Sequence, residues 1–139
     1  MTLALAFQQS VVDWRLKALD DAMLRFARIA ITGPPRVGKT WLAAQCTDRI
    51  VVHTDEWKDK DWPAQPQLII AGCDGLDRFL LEGVQVPRAL RKGLKVDCLL
   101  WLDLAGAEQT PQQKAMGKAI ATILNGIRAQ LEIPIIFVD

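Results

Sequence analysis

The sequence predicts an α/β protein, a single three-layer α/β/α domain around a sheet of five parallel strands. Three observations predict it. The apolar runs RIAIT, RIVVHT, DRFLLEG, VDCLLWLD and IPIIFVD are short and do not alternate with polar residues, so both faces of each strand are expected to be covered. Helical patterns or long connections separate them, which makes the strands parallel and the crossovers right-handed. The chain has 139 residues, 50% hydrophobic and 24% charged, which suits one domain with its own core.

The elements follow in order. Val11, Trp14, Ala18, Met23 and Phe26 fall near one face of a helix that Ser10 and Asp13 would cap and that would end near Arg25. Residues 1–26 are therefore read as a helical extension ahead of the sheet. The first strand, 28–32, stops at Gly33, and a helix is expected from Lys39 to about Asp48. The second strand covers 49–54 and the third 77–83, with a short helix from Pro87 to Lys92. The fourth strand is 96–103. Pro111, a residue suited to a first helical turn, opens a helix to about Leu131, and 133–139 is the fifth strand. The stretch from Asp59 to Asp74 stays open. Pro63 and Pro66 interrupt it early, and QPQLIIAGC suits a short helix, a buried strand or a substrate-facing loop.

Composition excludes several functions. A net charge of +1 gives no bulk reason to expect nucleic acid or an acidic membrane as partner. No apolar run approaches the length of a bilayer span. The start, MTLALAFQQSVVDW, lacks the basic segment and cleavage site of a signal peptide, and a cytoplasmic location is expected. Cys46, Cys73 and Cys98 are odd in number and scattered, and read as buried free thiols in a reducing compartment. One histidine, His53, and no C-x-x-C pair argue against zinc.

The most specific feature is Gly33-Pro34-Pro35-Arg36-Val37-Gly38-Lys39-Thr40, which fits G-x-x-x-x-G-K-[ST] between a predicted strand and a predicted helix. Glycines at its ends permit a turn that aims successive N–H groups at an anion, and the helix adds its own unpaired N–H groups and positive end. Pro34 and Pro35 have no N–H, so the donors must come mainly from Arg36 through Thr40. Lys39 can bridge β- and γ-phosphates, and the Thr40 hydroxyl can meet Mg²⁺. On these residues the chain resembles the P-loop NTPase superfamily over nearly its whole length. The resemblance implies ATP and Mg²⁺ as cofactors, nucleotide contacts from Gly33 through Trp41, and the strand order 2-3-1-4-5.

VVHTDEW places Asp55 and Glu56 just after the second strand, and FLLEG ends the third strand in Glu82. These pairings look like the small-molecule P-loop kinases of the uridine kinase, phosphoribulokinase and pantothenate kinase group. That likeness makes Asp55 the candidate base for an acceptor hydroxyl and Glu82 a metal or acceptor ligand. Lys39, Asp55 and Glu82 become the catalytic set, and Thr40, Asp55 and Glu82 the metal set. Glu56 is the alternative to Asp55, and Asp103 a weaker alternative to Glu82.

The lid that those kinases carry between strands four and five is reduced here. Leu104 to Glu132 holds one helical pattern whose basic residues are Lys114, Lys118 and Arg128, with the two lysines, spaced i,i+4, read as a solvent-facing stripe in preference to nucleotide contacts. Arg88 and Arg91 could face an anionic acceptor, a nucleic acid or simply solvent. Trp57 and Trp62 could wall an acceptor pocket or pack, whereas Trp14, Trp41 and Trp101 read as core. His53 reads as a strand residue with one satisfied nitrogen. Two alternatives to a kinase stay open. One is a minimal ATPase that switches a protein partner through the N-terminal helix and MTLALAF. The other is a non-catalytic nucleotide-binding module. A GTPase is disfavoured by the lack of N-K-x-D, and an AAA+ machine by size.

Overall fold

A computed structural model describes residues 3–104 and 108–139. All five predicted strands form, as β1 (Arg28–Thr32), β2 (Ile50–His53), β3 (Phe79–Glu82), β4 (Cys98–Trp101) and β5 (Ile135–Phe137). Every pairing is parallel and the order is β2-β3-β1-β4-β5, as expected. Each strand is shorter than its apolar run except β1, because the ends of the runs form crossover entries rather than ladder.

The absence of alternation in the strands has the expected cause. Ile29, Ile31, Leu80, Cys98 and Leu100 point to one face of the sheet. There they meet Leu19 and Ala22 of α1 (Leu3–Arg25) and Leu42 and Ala43 of α2 (Lys39–Ala44). The intervening Ala30, Phe79, Leu81, Leu99 and Trp101 point to the other face. They meet Ile69 of α3 (Gln65–Cys73), Ala89 and Leu90 of α4 (Val86–Arg91), and Ile120, Leu124 and Ile127 of α5 (Pro111–Ile127). The result is three layers with an apolar core on each side of the sheet.

Four expectations need correction. α1 starts at Leu3, so Ser10 lies inside the helix and not at its N-cap. Its buried face is Arg15, Leu19 and Ala22, at i, i+4 and i+7, and Trp14 is 58% exposed. Helical phase, set by where the helix crosses the sheet, overrode residue type. Trp41 is likewise 45% exposed on α2 and not core. α2 ends at Ala44, and Cys46 lies just beyond it. QPQLIIAGC resolves as α3, with Pro66 in its first turn, where a missing N–H costs nothing. Trp101 is core, and all three cysteines are buried and free.

Burial pushes the Cys73 and Cys98 thiols up to about 11. At the other end of α1, Arg49 donates to the carbonyls of Met23, Phe26 and Ala27 and closes the helix. α1 thus runs from the carboxyl edge of the sheet, at Arg15, to its amino edge. The MTLALAF side chains lie outside the described residues. Among the described residues no helix is long and apolar enough to cross a membrane.

Candidate functional site

The loop that leaves the central strand β1 is pinned at both ends by geometry. A β-carbon at Gly33 would stand 1.9 Å from the backbone oxygen of Leu102, so only glycine passes there. Gly38, with φ of 95°, is the N-cap of α2. Arg36 also adopts a left-handed backbone, φ 62°, the one non-glycine residue to do so among the described residues. That conformation costs a residue with a β-carbon roughly 1–2 kcal/mol. Among the described residues, no protein acceptor takes the N–H groups of Arg36, Val37 or Gly38. A run of unsatisfied N–H groups ahead of a helix is the arrangement that receives an anion.

The outer side of the loop is braced. Arg15, buried on α1, donates to the carbonyl of Val37, to the carbonyl of Leu104 at 2.9 Å, and to the Asp139 carboxylate. Asp139 also accepts from the N–H groups of Asp103 at 2.7 Å and Leu104 at 3.2 Å. Burial pushes the Asp139 carboxyl up, but Arg15 and those two N–H donors outweigh it and hold it below the usual carboxylate range. On the inner side Gln109 donates to the carbonyl of Pro35. A capping box between Thr110 and Gln113 starts α5.

Lys39 is 7% exposed and donates to the carbonyl of Pro34 at 2.6 Å. Burial pushes its ammonium down to about 8, against the pull of Glu82 and Asp55 and with the help of Arg15. Glu82, 3% exposed, closes β3 in register with His53 of β2. Its Oε1 accepts from the Thr40 hydroxyl at 3.2 Å and stands 2.7 Å from His53 Nδ1. Among the described residues no hydrogen bond reaches its Oε2. Asp55 follows in the 3₁₀ turn Thr54–Trp57.

Lys39, Thr40, Asp55 and Glu82 share one cavity of about 610 Å³, which His53 does not line. Pro35, Arg36, Lys39 and Thr40 form its floor, Asp55, Glu82, Gly83 and Val84 one wall, and Thr110, Gln112, Gln113 and Met116 of the α5 start the other. Lys39, Asp55, Glu82 and Thr40 are therefore brought together as the sequence predicts. Pro34 packs beside Gly117 of α5, and Val37 is buried.

Other candidates are not part of it. Trp41, Glu56, Trp57, Trp62, Arg88, Arg91 and Asp103 do not line the cavity. Arg88 is 5% exposed and fully engaged: it donates to Gln65, Gln85 and the carbonyl of Trp62, and lies 3.7 Å over the Trp62 ring. Its guanidinium is packing, not an anion site, and burial pushes its pKa down. Arg91 is exposed over a separate groove with Leu131 and Ile133. Trp57 packs against Gly72. Lys114 and Lys118 are exposed, as the stripe reading has it.

Sequence reasoning missed three contributors. Arg15 carries no motif that sets it apart from the other residues of its helix. His53 was left bland, although the expected neighbourhood of strands two and three put it beside Glu82. The α5 start was read as a reduced lid rather than as a wall. Comparison with protein-family models, with curated proteins and with solved structures finds no match to this chain.

Proposed function

We propose that this chain transfers a phosphoryl group from a nucleoside triphosphate to a hydroxyl of a small molecule or nucleotide. One observation carries the reading: a glycine loop whose N–H groups at Arg36, Val37 and Gly38 have no acceptor among the described residues leads from the central strand into α2, and its lysine and threonine share a cavity with two carboxylates. The loop and the α2 start would take the polyphosphate. Lys39 leaves the Pro34 carbonyl for a phosphate oxygen, where the added negative charge favours its protonated form.

Magnesium fits the donor set. Thr40 and Glu82 are hard oxygen donors 3.2 Å apart, with Asp55 on the same wall. No group of three or more His, Cys, Asp or Glu among the described residues would hold a metal alone. The ion would therefore arrive with the nucleotide, held by Thr40 and Glu82, and neutralise phosphate charge. Asp55, exposed at the cavity wall, accepts the proton of the acceptor hydroxyl and orients its oxygen. Lys39 and the loop N–H groups fix the phosphates for in-line attack.

A second reading has its own observation. Arg15 ties α1 to the Val37 carbonyl, so a partner that bends α1 would move the loop, which suits an ATPase that switches an assembly. One experiment separates the two. The protein is incubated with Mg²⁺ and γ-labelled ATP, with and without pools of nucleosides, sugars, vitamins and 5′-hydroxyl oligonucleotides. Label transfer that depends on an acceptor is expected. Phosphate release that ignores acceptors would favour the switch, and binding without either would leave a nucleotide-binding module.

A further inference from the structure

The Arg36 guanidinium is a charged group of the cavity that the preceding mechanism leaves unused. Its side chain is exposed and makes no hydrogen bond or ion pair among the described residues, whereas Arg15, Arg28, Arg49, Arg78 and Arg88 are all engaged. Its backbone is left-handed, at a position where glycine would sit without strain. It lines the cavity together with Lys39, and among the described residues the two are the only lysine or arginine residues that do so.

The charges of the site show what such a residue does. Asp55 and Glu82 line the same cavity as Arg36, Lys39 and Thr40. A triphosphate carries about four negative charges at neutral pH, more than Lys39 and one divalent ion can balance beside two carboxylates. Among the described residues no arginine or lysine of the α5 start lines the cavity; that side offers Thr110, Gln112, Gln113 and Met116. Building on the phosphotransferase reading, we infer that Arg36 is a catalytic residue: its guanidinium grips the terminal phosphate of the bound nucleoside triphosphate and distinguishes triphosphate from diphosphate. The planar fork suits two oxygens of one phosphate, which a lysine at this place would not match.

This inference separates function from stability. Arg36→Gly removes the guanidinium and also the backbone strain, so a purely structural residue and a phosphate ligand give opposite signatures. Melting temperature is measured for the wild type, Arg36→Gly and Arg36→Lys. Affinities for ATP and ADP with Mg²⁺ are measured by calorimetry on the same proteins. Arg36→Gly is expected to melt at or above the wild-type temperature. It is expected to lose about tenfold or more in ATP affinity while ADP affinity changes by less than about twofold, with Arg36→Lys between the two. An unchanged ATP-to-ADP ratio in Arg36→Gly, or equal weakening of both, overturns the inference while nucleotide binding stands. A loss confined to acceptor affinity overturns it as well. A wild-type protein that binds neither nucleotide removes the underlying reading and this inference with it.

Discussion

Lys39 holds a charge where the fold alone would not place one, and its removal should show that directly. Burial lowers its pKa from the ordinary 10.5 to about 8, while the unfolded chain keeps its proton up to the ordinary value. Below about pH 8 both states are protonated and the folded state carries the whole penalty of a buried ammonium. Between about pH 8 and 10.5 the unfolded chain binds more protons, so stability rises with pH as the penalty is relieved. The drop in pKa corresponds to about 3 kcal/mol in all, with about 1 kcal/mol recovered between pH 7 and 9.

Lys39→Met has no such titration. It loses both the bond to the Pro34 carbonyl and the cost of the buried ammonium, which offsets its curve by a constant, and it gains nothing as pH rises. Cys73 and Cys98 act in the opposite direction. Their folded pKa values are raised to about 11 from 9.0, so both proteins lose stability above about pH 9, and the loss cancels in the difference. Urea unfolding of the nucleotide-free proteins at several pH values from about 7 to 10.5 measures that difference. It should move toward the wild type by about 3 kcal/mol over the range. Parallel curves would refute the burial of a charged Lys39 against the loop.

Two further outcomes follow from the bracing and the chemistry. Arg15→Met should destabilise the fold by about 3 kcal/mol, because it strips buried Asp139 of its partner and Val37 of its donor, and Asp139→Leu in the same chain should restore much of it. A double-mutant cycle in chemical denaturation checks this, and strict additivity would mean the pair is not coupled. Asp55→Asn should lower acceptor phosphorylation by about a hundredfold or more while ATP affinity stays within about twofold. Unchanged transfer would move the base elsewhere.

What the sequence disclosed, and what it did not, divides along the range of the interactions. Strands such as RIAIT and VDCLLWLD were legible because their apolar runs reflect burial on both faces, a local signature. The loop was legible because eight contiguous residues hold it. Arg15 was not legible: its partners Val37, Leu104 and Asp139 lie 22, 89 and 124 positions away. The same holds for Arg88, whose charge suggested an anion site until the Trp62 carbonyl, 26 positions away, engaged it. Trp14 and Trp41 misled because aromatic character says nothing about helical phase. His53 was within reach, since β2 and β3 pair His53 with Glu82, but it required joining strand order to side-chain chemistry.

The most direct test of the anion-binding loop is calorimetric titration of wild type and Lys39→Met with ATP in Mg²⁺. Saturable heat at one site in the wild type, lost in Lys39→Met while the variant stays folded, is the expected result. No heat with any nucleoside triphosphate, or identical isotherms for the two proteins, would contradict it.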